Sequence, residues 1–305
     1  MIHPLDVKNH GQKMSRKVLK KLKRQQATMS REKSEEMRIA VSNGDVRLVR
    51  ELTNQGVLAN QMDANGWTLL HLAACKGKEK ILRVLLEKGG DAFAKDFVGG
   101  FTALHYAAMH GRTRIARLLL EFRGIDKDKL VDARSEDGWT PLHVASHYGR
   151  DSFVQLLIDS QAEVDALSDK GTTALQLAII RERTNCIKVL LSSGANIDVQ
   201  CGFPLRYAVI KGNQNCARLL LEHGASTSIR RTEDGQTPLH LAALRNSESM
   251  ARLLYKFGAD VNIHNDEGMA PLAISRMMLK ANNKDKECLD FLSNVTSKLH
   301  FIKVL

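Results

Sequence analysis

The stretch DGWTPLHVASHYG, residues 137–149, encodes a turn, a helix start and a helix stop in one short run. Thr140 is placed to accept a backbone N–H at the first helical turn, where those groups have no partner inside the helix. Pro141 follows at the first helical position, where a missing N–H costs nothing. Gly149 supplies the left-handed residue that ends the helix. Altered forms recur along the chain as GWTLLH, GFTALH, GWTPLH, GTTALQ, GFPLR, GQTPLH and GMAPLA. With the Thr as position zero, the zeros are Thr68, Thr102, Thr140, Thr173, Phe203, Thr237 and Ala270, separated by 34, 38, 33, 30, 34 and 33 residues. Ala40 and Gly44 match Ala73 and Gly77, which puts the zero of a degenerate leading unit at Glu35.

A period near 33 residues with a TPLH core resembles the ankyrin repeat. The expected fold is therefore all-α, a solenoid of about eight helix-turn-helix units with short connecting β-hairpins. Gly77, Gly111, Gly149 and Gly212 end the first helix of their units, and Leu52, Leu85, Leu119, Leu157, Leu190, Leu220 and Leu254 lie seventeen residues after the zeros, in the second helix. Gly56, Gly89, Gly194, Gly224 and Gly258 close that helix, and an Asp–x–x–Gly step such as Asp63 to Gly66 turns the chain into the next unit. One unit cannot bury its own apolar face, so stability comes from stacking on neighbours. The boundaries read 35–62, 63–96, 97–134, 135–167, 168–199, 200–231, 232–264 and 265–297, with a basic extension over 1–33 and a tail over 298–305. Arg181–Glu182 and Asn246 stand where other units carry the helix-ending Gly, and unit six lacks three residues before its motif, so its hairpin must be shortened. FRGIDKDKL adds a charged loop after unit three, KANNKDK is inserted between the helices of unit eight, and the last helix reads ECLDFLSNV.

The net charge is +11, of which the first 33 residues carry +8. RKVLKKLKRQQ in that segment suits a nuclear import signal or a loose phosphate-binding arm, with a solvated extension as the plain alternative. No apolar run reaches the ~20 residues that span a bilayer, and no signal-peptide core is visible. Five cysteines without a CxxC pair argue against a disulfide scaffold or structural zinc. The composition reads as a cytoplasmic or nuclear protein.

No catalytic motif is present: GxxxxGK[ST], HExxH and GxSxG are all missing. No catalytic residue, metal or cofactor is expected. His71, His105, His143 and His240 fall three residues after Thr68, Thr102, Thr140 and Thr237, and Thr173 begins the same motif. Stacked units lie about 10 Å apart, too far for neighbouring imidazoles to share a metal; they read as structural donors between hairpins. Cys186 and Cys216 read as small core residues. Cys75 and Cys201 lie nearer the groove and hairpin edge, and nothing in the spacing places an activating base beside either.

Two rows are candidates for partner binding. The residue before the zero is Trp67, Phe101 and Trp139 in units two to four, an aromatic strip of the type that anchors interfaces or that packs on the adjacent hairpin. The residue eight after the zero is Lys76, His110, Tyr148, Arg181, Lys211 and Arg245. That row favours an acidic or phosphorylated segment, or simply completes helix C-termini. Together they suggest an aromatic half and a basic half of one concave groove.

The strings DANGWTLLHLAA, GGFTALHYAAMHGR, DGWTPLHVASHYGRDSFV, SDKGTTALQLAIIRER and EDGQTPLHLAALR resemble the ankyrin-repeat and SOCS-box family over roughly residues 35–296. The resemblance implies a substrate receptor of a cullin–RING ubiquitin ligase, with target proteins in the ankyrin groove and a C-terminal box docking on elongin B, elongin C and a cullin. The box motif L-x-x-L-C-R-x-x-I is not found after CLDFLSNVTS, where the chain runs KLHFIKVL. The expectation is a target-binding solenoid with its ligase docking in doubt. An ankyrin scaffold without a ubiquitin role, or nucleic-acid binding through the basic arm, are the alternatives.

Overall fold

A computed structural model describes residues 31–282 and 286–304. The basic extension therefore lies outside the described residues up to residue 30. The described chain forms eight helix pairs. The first helices of the units are α1 (31–43), α3 (Leu69–Lys76), α5 (Ala103–His110), α8 (Pro141–Tyr148), α10 (Ala174–Ile180), α12 (Val199–Lys211), α14 (Pro238–Leu244) and α16 (Pro271–Asn282). The second helices are α2 (Val46–Asn54), α4 (Glu79–Glu87), α6 (Thr113–Glu121), α9 (Asp151–Asp159), α11 (Thr184–Ser192), α13 (Gln214–Glu222), α15 (Glu248–Lys256) and α17 (Glu287–Val304).

From unit two onward each first helix packs on its own second helix, and from α3 to α14 each also packs on the first helix of the next unit. The first helices carry small buried residues at the contact, such as Ala73, Ala74, Ala107, Ala108, Ala145, Ala178, Ala208, Ala242 and Ala243. They pack on their neighbours more extensively than the second helices do. All seven Leu of the seventeen-residue register are buried between the layers, and Phe153 is the largest fully buried side chain among the described residues. Each such Leu contributes about 2 kcal/mol of apolar burial.

Between units the chain makes a tight tip. Asp63 N donates to Trp67 O at 3.0 Å, and Asp63 Oδ1 accepts from Asn65 N and Trp67 N at 2.9 Å each. Gly66 sits there at φ 77°, and a Cβ would meet the Phe97 ring at 2.7 Å. Successive tips share one backbone bond, as from Phe97 N to Asn65 O at 2.9 Å and Glu136 N to Gly99 O at 2.8 Å. The expected β-hairpins do not reach strand geometry among the described residues. Their arms are too short to build a ladder.

Three local readings are corrected. FRGIDKDKL is not only a loop: it contains α7 (Lys127–Val131), capped by Asp126 and anchored by buried Leu130 and Val131. Part of KANNKDK belongs to α16, which runs on to Asn282 because Leu279 stands where other units place the terminating Gly; residues 283–285 lie outside the described residues. The last helix continues past Val295 to Val304, through residues taken as tail.

Unit six departs furthest. Gln200, Cys201 and Gly202 are all left-handed, with φ of 49°, 54° and 72°, so regular helix begins only at Phe203. Three missing residues force the chain to reverse in one left-handed turn, which costs a non-Gly residue about 1–2 kcal/mol. Glu182 and Asn246 hold φ of 55° and 54° in the slots that Gly fills elsewhere.

Candidate functional site

The first helices begin with a strap that joins each unit to the next. Thr68 N donates to His71 Nδ1 at 3.0 Å, which leaves that nitrogen without a proton. The proton therefore sits on Nε2, which donates to Phe101 O at 2.9 Å. The arrangement repeats from His105 Nε2 to Trp139 O at 3.0 Å, from His143 Nε2 to Thr172 O at 2.9 Å and from His240 Nε2 to Met269 O at 3.0 Å. Both nitrogens of each ring are committed, so none is available to a metal. Burial holds the imidazoles of His71, His143 and His240 below the ordinary value and pushes His105 down to about 4.

Other side chains occupy the same slot elsewhere. Arg38 in unit one donates to Trp67 O at 2.6 Å and pairs with Asp63 at 3.2 Å. Gln176 in unit five accepts from Thr173 N at 2.8 Å but finds no tip carbonyl ahead of it; its amide donates to Gln200 Oε1 at 2.9 Å. Gln200 in turn donates to Gly171 O at 2.6 Å, a side chain standing in for the missing hairpin. In unit six Arg206 turns back to Gln200 O at 3.2 Å, and its Nε is buried with no hydrogen-bond partner.

The aromatic row is partly built into this ladder. The carbonyls of Trp67, Phe101 and Trp139 receive the straps of the preceding units. Their rings are half-buried: Phe101 stacks on His105 at 5.2 Å, Trp139 lies over His143 at 6.4 Å, and Trp67 meets Tyr106 edge-on at 4.5 Å. The Tyr106 hydroxyl donates to buried Asp96. Burial pushes that phenol well above its ordinary value, and the adjacent carboxylate adds to the shift. Each aromatic side chain thus packs on the scaffold and stays partly exposed.

The second row lies at the opposite end of the first helices, one helix length or about 12 Å away. Lys76, His110, Tyr148, Arg181, Lys211 and Arg245 are all exposed there. Arg245 also donates to Ile210 O, and Lys211 Nζ stands 5.6 Å over the Tyr207 ring. The two rows run in parallel rather than dividing the array into halves. His110 Nε2 comes within 3.3 Å of Cys75 Sγ, so the fold supplies Cys75 with the neighbouring base that its sequence spacing did not show. Burial, with Arg112, Arg150 and Lys76 nearby, keeps His110 below its ordinary value. Cys186 and Cys216 are buried, and burial pushes their thiols up to about 12 and about 11.

Sequence reasoning missed two apolar features. Ile180, Ile210, Leu244 and Met277 stand seven residues after the zeros of units five to eight, each 36–47% exposed. They form a strip beside Arg181, Lys211 and Arg245, and the signal was present one position before the cation row. At the tip before unit three, Phe97 and Val98 are 65% and 72% exposed. The extra residue in DFVGG lengthens that tip where the others are polar.

The family model for ankyrin repeats matches the chain in three copies, over residues 37–130, 127–201 and 199–265. Protein phosphatase 1 regulatory subunit 12A of Mus musculus is 30% identical over 120 residues, 39% of this chain and 8% of that protein. Ankyrin repeat, SAM and basic leucine zipper domain-containing protein 1 of Carollia perspicillata is 41% identical over 66 residues, 21% of this chain and 14% of that protein. The matched region is thus a small part of either relative's length.

Proposed function

The chain belongs to the ankyrin-repeat family, and from that premise we propose that it is a non-catalytic receptor that holds a target protein on its first-helix face. The observation that carries this reading is the strip of Ile180, Ile210, Leu244 and Met277 flanked by Arg181, Lys211 and Arg245. Apolar residues left exposed in a row, once per unit, offer burial to a partner, and the adjacent cations select one with acidic flanks. The partly exposed side chains of Trp67, Phe101 and Trp139 extend the surface toward the other end of the array. The described residues contain no helix long and apolar enough to cross a membrane.

The finer reading places this binding in ubiquitin transfer, as the target-holding subunit of an elongin–cullin–RING ligase. Its support is the likeness of the strings between the motifs to the ankyrin-repeat and SOCS-box proteins. The test is a tagged capture of the full chain beside the double variant Ile210→Asp/Leu244→Asp, with elongin B, elongin C and a cullin probed in both. The expected result is a set of stoichiometric targets lost from the variant, with elongins retained by both. Targets without elongins would reduce the function to a scaffold. Identical targets on both proteins would overturn the groove.

A further inference from the structure

The outer layer of the array carries a feature that the groove does not use. Position fifteen after the zero is Arg50, Arg83 and Arg117 in units one to three, and position twelve is Arg47, Lys80 and Arg114. All six side chains are exposed, and among the described residues none of them makes a hydrogen bond or ion pair. Their helices α2, α4 and α6 pack side by side. On one helix the two cations are a single turn apart, about 5–6 Å between Cβ atoms, and neighbouring helices repeat the pair at about 10 Å. The paired cations stop there: in units four to seven position twelve becomes Ser152, Asn185, Asn215 and Ser249, and units five and six keep only the single exposed cations Lys188 and Arg218 at position fifteen. At position fifteen Gln155 bonds Asp159 at 2.8 Å and Arg252 bonds Glu248 at 2.7 Å.

A groove of about 650 Å³ opens within this field, between α4 and α6. Arg83, Arg114, Arg117 and Arg123 line it over an apolar floor of Leu118 and Phe122, with Glu79 and Glu121 in its walls. Unpaired arginines fit planar carboxylates or phosphoryl groups two bonds at a time. The two glutamates and the apolar floor do not suit a continuous polyphosphate, which asks for uninterrupted cations and stacking rings.

We infer that the outer face of units one to three is a docking site for an acidic peptide segment of a protein partner, separate from the first-helix groove. Its anions engage Arg83, Arg114 and Arg117, and an apolar residue between them covers Leu118 and Phe122.

The test is fluorescence anisotropy of the full chain with a labelled Glu-rich dodecapeptide bearing one central Leu. The same peptide with phosphoserine replacing two Glu, and a 20-nucleotide single-stranded DNA, are run beside it. The key variant is Arg83→Glu/Arg114→Glu/Arg117→Glu. The control is Lys188→Glu/Arg218→Glu/Lys256→Glu, which changes net charge equally on second helices of units five to seven, outside both the outer field of units one to three and the first-helix groove. Exposed side chains are replaced in both, and circular dichroism confirms the fold. Peptide affinity falling at least about tenfold in the outer variant and staying within about twofold of wild type in the control supports the site. The preferred peptide tells carboxylate from phosphoryl recognition. Equal losses in both variants would reduce the effect to net charge and overturn the proposal. So would tighter binding of the DNA, or no peptide binding by the wild-type chain. Target capture by the groove stands or falls separately on Ile210 and Leu244.

Discussion

Units two to four and the junction from unit five to unit seven solve the same problem with different chemistry. In the first region each histidine spends both nitrogens, one on its own helix start and one on the next tip, and the tips join one another through backbone. At the junction a glutamine meets a glutamine, three residues turn left-handed, and Arg206 Nε and Gln236 Oε1 are buried without hydrogen-bond partners. A buried polar atom without a partner costs about 1–3 kcal/mol. The contrast shows that stacked units tolerate a lost tip when a side chain can reach across the gap, at the expense of local stability.

Acid gives the largest test of this contrast. The strap histidines stay neutral when folded, with His105 held down to about 4, whereas in the unfolded chain they protonate near 6.5. The unfolded state then binds more protons between those values, so the straps' stability is full above pH 6.5 and is lost as pH falls through about 4. His105 alone accounts for about 3 kcal/mol. Urea midpoints should drop sharply between pH 7.5 and 4.5. Hydrogen exchange, corrected for intrinsic rates, should show units two to four losing their advantage over the junction. A midpoint insensitive to pH would break the comparison.

Next in size is His105→Ala at neutral pH. It strands the buried Thr102 N–H, leaves Trp139 C=O with only its bond from Ser135 N and opens a void, for a loss of about 3 kcal/mol. The equivalent cut at the junction, Gln176→Ala, should cost about 1 kcal/mol because its outer partner Gln200 is exposed. Equal losses in urea denaturation would mean that the strap type does not matter. The smallest effect has the opposite sign. Cys201 is exposed and left-handed, so Cys201→Gly should stabilise the chain by about 1 kcal/mol. A loss instead would show that the turn is not strained.

The regular part of this fold was legible because each task falls on one residue type at a fixed offset. Thr, Pro, His, Gly and Leu mark a cap, a first position, a strap, a stop and a core contact. Legibility failed where a task passed to a residue with no standing signature. Nothing in the string VQCGF announces that Gln200 will replace a hairpin, because that depends on how far an amide reaches. The continuation of α16 follows from an absent Gly, which is easier to read once the helix is seen. The exposed strip at Ile180, Ile210, Leu244 and Met277 and the outer field at Arg83, Arg114 and Arg117 are different. Both were present in the register and become visible only when each offset is followed down the whole array.

The broken ladder also has a mechanical meaning. Units joined in series carry the same pull, so an array parts at the joint with the fewest stitches. A load on the ends of this solenoid would open it between Gln200 and Gln236 and leave the histidine-bound units closed. That joint lies in the middle of the apolar strip, at Ile210, so tension would spread the very residues that a target covers.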